Sequence, residues 1–283
     1  MKTTILNNKV EMPLLGFGVF QITDEKECEE SVLHALKTGY RLIDTAACYG
    51  NERAVGNAVK KSGIPREEVF ISSKVWIQDA GYEKTMKSFA KTLENLQTDY
   101  LDMYLIHMPY GDYYGSWRAM EELYREGKVK AIGVCNFEKD RLVDLILNNE
   151  VVPAVNQMEL HPFCQQEELR KVMVEYQIRP MAWAPFAEGM NQIFTNPVLS
   201  EIGAKYGKTP AQVILQWLNQ EEIVAIPKSV HKERIEENFT VDNFSLDDED
   251  VEKIEAMDTK DSLILEIRKL EEVYRLYNIR FEQ

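Results

Sequence analysis

Eight short apolar runs, separated by segments with the spacing of amphipathic helices, set the architecture of this 283-residue chain. They are Leu14–Phe20, Arg41–Ala46, Val69–Val75, Leu101–His107, Ala131–Asn136, Ala154–Glu159, Pro180–Pro185 and Ile223–Lys228. Strands alternating with helical patterns are the signature of a parallel sheet. Eight such units close a (β/α)8 TIM barrel, a fold that typically takes about 250 residues. The expectation is one α/β domain over residues 1–283. Asp44, Lys74, His107, Asn136, Gln157 and Lys228 each lie within or at the end of one of these runs, and Trp183 lies on the seventh. In a closed barrel they converge on the C-terminal rim, where strand-end residues read as catalytic and the opposite rim serves stability.

The intervening segments support this reading. Tyr82, Met86, Phe89, Leu93 and Leu96 form one helical stripe that faces the sheet. Asp24 and Glu27 stand at capping-box spacing before the first helix, and Gly39, Gly63 and Gly127 follow helical runs where a C′ residue belongs. An N-terminal hairpin is predicted over Thr4–Leu6 and Lys9–Glu11. Its turn is Asn7-Asn8, because Asn tolerates positive φ, and it is placed to plug the barrel floor. Extra length at Glu188–Gly207 and after Asn238 predicts two added helices. The tail after Asp261 reads as a further helix, with Leu263, Ile267, Leu270 and Val273 at helical spacing.

Composition narrows the partners. Lys plus Arg (33) against Asp plus Glu (47) leaves a net charge of −14, which argues against nucleic acid or an anionic membrane. An anionic ligand therefore needs a local cationic cluster. The chain has neither a secretory pattern at its start nor an apolar run long enough for a bilayer, so a cytosolic location is expected. The four cysteines, Cys28, Cys48, Cys135 and Cys164, lack CxxC spacing and read as free thiols rather than disulfides or metal ligands.

The residue types then point to chemistry. Asp44 and Tyr49 lie in IDTAACYGNE, Lys74 closes ISSKVW and His107 closes YLIHMP. A phenol is a poor acid, with an ordinary pKa of about 10, and a neighbouring ammonium is expected to lower it. A buried ammonium needs a carboxylate, which Asp44 can supply. His107 can hydrogen-bond a substrate carbonyl, so the set suits general acid catalysis. Near the C-terminus, IPKSVHKERIEENF gathers Lys228, Ser229 and Arg234 around a helix start, an anion site. Asn136 and Gln157 offer amides suited to a carboxamide, and Trp183 offers a face for stacking. These features fit a phosphorylated nicotinamide beside a carbonyl.

IDTAACYGNE, SSKVW, YLIHMP, GVCNF, VNQMELHP, AWAPFAEG and IPKSVHKERIEENF, in this order, resemble the aldo-keto reductase family from about residue 5 to about residue 260. Within it, the chain is similar to small bacterial reductases of the 2,5-diketogluconate and glyoxal type. The resemblance implies NADPH-dependent reduction of aldehydes or ketones by direct hydride transfer, without metal. It assigns Tyr49 as general acid, Lys74 and Asp44 as its tuning pair, and His107 as the group positioning the carbonyl. It places the carboxamide on Asn136 and Gln157, the nicotinamide on Trp183, and the 2′-phosphate on Lys228, Ser229 and Arg234. Glu237 and Asn238 read the adenine, and Phe20, Trp76 and His107 contact substrate. Three features depart from the family pattern. Cys135 stands where Ser is usual, Trp183 replaces the commoner Tyr, and Phe20 stands where many members carry Trp. The tail lacks the usual ending, so substrate preference is not carried over.

Rival readings stay open at this stage. Asp44 alone could cap a helix, Asn136 and Gln157 could cap strand ends, and Trp183 could be barrel core. Arg234 could pair with Glu233 or Glu237 on its own helix. His161 reads as structural, and His34 and His231 receive no catalytic role. The acidic run DDEDVEKIEAMD reads as a solvated helix face. Two rival functions are a Schiff-base aldolase with Lys74 as nucleophile and an NADPH-binding regulatory subunit without turnover. A monomer is the default, and a dimer through the tail is the alternative.

Overall fold

The computed structural model describes residues 2–281. It opens with an antiparallel hairpin, β1 (Thr3–Ile5) and β2 (Glu11–Pro13), in which Ile5 faces Glu11. Eight parallel strands follow: β3 (Phe17–Gly18), β4 (Leu42–Asp44), β5 (Phe70–Val75), β6 (Leu101–Ile106), β7 (Val129–Cys135), β8 (Val155–Glu159), β9 (Arg179–Trp183) and β10 (Val224–Ala225). Each pairs with its neighbour in chain order, and a parallel bridge from Leu15 to Ala225 joins first to last. All eight predicted runs are present. The outer two are shorter than expected, because the closing seam runs through Gly16, Gly18 and Pro227. Pro227 accepts from the Gly18 amide but has no N–H to return, so the ladder stops there.

Helices α1 (Glu25–Thr38), α2 (Glu52–Ser62), α3 (Tyr82–Leu96), α4 (Tyr113–Arg125), α5 (Lys139–Leu147) and α6 (Glu167–Glu175) connect the strands through β9. Then come α7 (Pro197–Tyr206), α8 (Pro210–Gln220), α9 (Lys232–Phe239), α10 (Asp248–Glu255) and α11 (Leu270–Asn278). The predicted stripe from Tyr82 to Leu96 spans α3 end to end. Asp24 caps α1 by accepting from the Glu27 amide at 2.8 Å, one half of the expected capping box. Gly39, Gly63 and Gly127 all have positive φ at helix ends, as expected.

The strand period of two sorts the core into two layers. Leu42, Phe70, Met103, Leu105, Ala131, Val155, Met181 and Val224 point inward. Ile43, Ile71, Tyr104, Ile132, Val134 and Ala182 point outward against the helices. Gly133 has inward parity where space runs out: a Cβ there would lie 2.6 Å from the Val155 carbonyl oxygen. The hairpin closes the floor, with Leu6, Met12 and Leu14 joining the inner cluster. Asn7 and Asn8 donate to the carbonyls of Pro153 and Lys130 beside the starts of β8 and β7. The positive φ of this turn falls on Lys9 (71°) rather than on either Asn, whose side chains are used as anchors instead.

The tail corrects the expectation more deeply. Leu263 and Ile267 are not helical, and the helix begins only at Leu270, which is exposed. The cause is tertiary. The buried Glu159 carboxylate, at the end of β8, accepts from Ser262 Oγ and from the amides of Leu263, Ile264 and Leu265. Those amides are held in a turn around the anion and cannot enter a helix. No helix is long and apolar enough to cross a membrane among the described residues.

Candidate active site

Inward parity carries past the apolar layer to the strand ends. Asp44 continues from Leu42, Lys74 from Phe70 and Ser72, His107 from Met103 and Leu105, Cys135 from Ala131, and Gln157 from Val155. Lys74 is wholly enclosed, and its Nζ lies 2.6 Å from Asp44 Oδ2 and 2.8 Å from the Thr45 carbonyl oxygen. The second carboxylate oxygen of Asp44 accepts from Gln157 Nε2 at 3.0 Å. The buried charges are thus paired and hydrogen-bonded, the condition under which burial is tolerated. Asp44 makes no helix cap among the described residues.

Tyr49 sits in a short helical turn, Ala47–Tyr49, directly after β4. Lys74 Nζ lies 5.1 Å from its ring centroid, and its hydroxyl lies 3.5 Å from His107 Nε2. Burial pushes the Tyr49 phenol well above its ordinary value, and the Asp44 carboxylate pushes the same way. This corrects the expectation that Lys74 makes it a stronger acid. Burial, followed by the Lys74 charge, holds the His107 imidazole well below its ordinary value and keeps it neutral. Cys48 Sγ lies 3.4 Å from His107 Nδ1.

Aromatic side chains frame this group. Phe20 lies 4.9 Å from the Tyr49 ring, and Trp76 meets the His107 ring edge-on at 4.9 Å. The tail covers Trp76: the Ile279 carbonyl accepts from its indole at 3.3 Å. Phe281 exchanges hydrogen bonds with Gln78, and Tyr110 donates to the Ile267 carbonyl. Leu276, Ile279 and Ile267 therefore pack with Trp76, Met108 and Tyr110 in one apolar cluster beside the site.

On the other side, Asn136 follows β7 with φ 61°, a conformation Asn tolerates. Its amide donates to the His107 carbonyl at 3.1 Å, and its Oδ1 accepts from the Trp183 indole at 2.9 Å. Trp183 is thereby pinned by an edge and only partly buried. A cavity of about 260 Å³ adjoins Asn136 and Trp183, bounded by Glu159, Gln166, Leu265 and Ile267, and its walls do not include Tyr49, Lys74 or His107. Cys135 lies 3.7 Å from Gln157 Oε1, a weaker bond than a hydroxyl would make.

Lys228, Ser229 and Arg234 gather around the start of α9, with Lys228 and Arg234 exposed. Neither cation enters an ion pair among the described residues, so Arg234 is not held by Glu233 or Glu237. Glu237 accepts from Thr209 Oγ1 at 2.6 Å. Asn238 is buried on α9. Two unpaired cations, a hydroxyl and a buried amide fit a phosphorylated adenosine. His161 is enclosed, bonded to Glu159 at 3.1 Å, and His34 pairs with Glu236 on α9. The four cysteines are free.

Cys48, Glu159 and the tail's Ile279 escaped the sequence reading. Cys48 alone carried a signal, as the neighbour of Tyr49. Comparison with known proteins identifies the family. The pattern of the Aldo/keto reductase family matches residues 14–259. The glyoxal reductase of Bacillus subtilis (strain 168) is 49% identical over 259 residues, which cover 91% of this chain and 93% of that protein. The methylglyoxal reductase DkgA of Escherichia coli (strain K12) is 42% identical over 250 residues, covering 87% and 90%. Among solved structures, a Gox0644 mutant in complex with NADPH superposes with a TM-score of 0.89 at 37% identity, covering 94% of this chain and 96% of that one. By its barrel and by a match that spans most of its length, the chain belongs to the aldo/keto reductase family.

Proposed function

We propose that this family member is an NADP(H)-dependent oxidoreductase that reduces small aldehydes and dicarbonyls to alcohols, with Tyr49 as general acid. The observation that carries the reading is the enclosed Asp44–Lys74 pair beneath the Tyr49 ring, with His107 at the phenol. When bound, NADPH supplies the hydride. Trp183, Asn136 and Gln157 would hold its nicotinamide end, and Lys228, Ser229, Arg234, Glu237 and Asn238 its adenosine phosphate end.

The chain's own residues manage the proton. A phenol held above its ordinary pKa keeps its proton in the resting site. An alkoxide is far more basic than a phenolate, so the proton passes from Tyr49 Oη to the carbonyl oxygen only as negative charge develops there. Lys74, with its charge beside the ring, then stabilises the phenolate left behind. His107, neutral and edge-packed on Trp76, orients the carbonyl next to Phe20. The glyoxal and methylglyoxal reductase relatives favour small dicarbonyls as the substrate class.

The aldolase reading fares poorly. The Lys74 ammonium is enclosed and committed to Asp44 and Thr45, whereas a Schiff-base lysine must be free and unprotonated. The test of the reductase reading is Tyr49→Phe, followed by carbonyl-dependent NADPH oxidation at 340 nm with methylglyoxal. The expected loss in kcat is about 10²–10⁴-fold, with NADPH still quenching Trp fluorescence. An active variant rejects Tyr49 as the proton donor. A wild-type protein that binds NADPH without turning over any carbonyl supports the regulatory-subunit reading instead.

A further inference from the structure

His107 can serve the proposed reduction in only one of its two neutral forms. With the proton on Nδ1, bare Nε2 accepts from the Tyr49 hydroxyl and draws its proton away from the carbonyl. With the proton on Nε2, the ring donates to the carbonyl oxygen and leaves the Tyr49 proton free for transfer. Which ring nitrogen carries the proton is decided by the bond made at the other.

The group facing Nδ1 is a thiol. We propose that Cys48, with its Sγ 3.4 Å from His107 Nδ1, is a positioning residue that selects the Nε2–H form of His107 by donating its S–H to Nδ1. The inference rests on the reductase reading of the site. A bare imidazole nitrogen is a good acceptor and thiol sulfur a poor one, so S–H to N is the favoured direction. The thiol also keeps its proton: burial pushes it up to about 12, against the Lys74 charge that pulls it down.

The other neighbours leave this task to Cys48. Trp76 meets the His107 ring edge-on, and its indole N–H is spent on the Ile279 carbonyl. The Asn136 amide bonds the His107 main-chain carbonyl rather than the ring. Tyr49 addresses Nε2, and Lys74 is committed to Asp44 and Thr45. Cys48 packs against the apolar cluster of Trp76, Met108, Tyr110 and the tail's Leu276. The tail thus contributes to the cluster on which the thiol rests.

The experiment is nitrogen-15 NMR of the imidazole rings in the NADP⁺ complex. The chain has only four histidines, and His107→Gln identifies the His107 signals. Wild type should show a protonated Nε2 and a bare Nδ1. Cys48→Ala should mix the two forms and lower kcat/KM by about threefold to tenfold, the worth of one modest hydrogen bond. NADPH affinity should not change. Cys48→Ser, which keeps a donor, should restore the wild-type spectrum and most of the rate. A wild-type His107 protonated on Nδ1, or a Cys48→Ala spectrum identical to wild type, overturns the proposal. The spectra read the tautomer directly, so they stand even if Tyr49→Phe were to sink the reductase reading.

Discussion

Removing one charge of the Asp44–Lys74 pair should cost more than removing both. The Lys74 side chain is fully enclosed and that of Asp44 is 3% exposed, so neither charge can turn to water when its partner goes. Lys74→Met leaves Asp44 with one neutral partner, Gln157 Nε2. Asp44→Asn leaves the ammonium on an amide and the Thr45 carbonyl. Breaking a buried pair on one side costs about 3–5 kcal/mol, because the remaining charge is uncompensated, whereas neutral replacement of both is often close to neutral. A chain of this size loses roughly 2–4 °C in Tm per kcal/mol. Lys74→Met alone should therefore lower Tm by roughly 6–20 °C. The double variant Lys74→Met/Asp44→Asn should recover most of that loss, because no uncompensated charge remains. Calorimetry of the four proteins at one scan rate and pH 7.5, without cofactor, reads the cycle. A double variant that loses the sum of the two singles would refute the reasoning, as would a single-variant loss below about 2 °C.

Replacing Arg234 with Ala should weaken NADPH by about tenfold, the scale of one charge-assisted bond to phosphate, and leave NADH nearly unchanged; equal losses for the two reject a 2′-phosphate contact. His107 is held well below its ordinary value, so the unfolded chain takes up a proton below about pH 6.5 that the folded chain refuses. Stability should therefore fall with acid at about 1.4 kcal/mol per pH unit from this group, and thermal melts of His107→Gln from pH 7.5 to 5 should lack that component. Burial pulls Glu159 up, yet bonds from His161, Ser262 and the Leu263 amide outweigh it and hold its carboxyl below the usual range. Glu159→Gln should release the turn at 262–265 and speed hydrogen exchange across 262–281 by about tenfold or more, and unchanged exchange there removes Glu159 as the anchor.

The barrel was legible because its signals are local. Strand runs, the α3 stripe and helix-end glycines are written at periods of two and about four along the chain. The inward placement of Asp44, Lys74, His107 and Gln157 follows from parity with Leu42, Phe70, Leu105 and Val155 once the strands are accepted. The tail departs from its sequence pattern for the opposite reason. Leu263 and Ile267 do have helical spacing, but a carboxylate more than a hundred residues earlier captures the amides that a helix would need. In the hairpin, the Asn pair looked like turn chemistry because its long-range partners, the Pro153 and Lys130 carbonyls, are invisible from within the turn.

Charge shows the same division. By itself the sequence determined which residues reach the rim, since a strand's alternation of faces is a property of its own backbone. It also determined the presence of an unusual cationic cluster on an acidic chain. Only the tertiary structure decided what those groups do to one another. Tyr49 is raised rather than lowered because the phenol is walled from water and the Asp44 carboxylate pushes the same way. Cys48 gains a partner only because β4 and β6 bring their C-terminal ends to the same rim. Electrostatic fields and hydrogen bonds depend on distance and solvent exclusion, and neither exists along the chain until the barrel has closed.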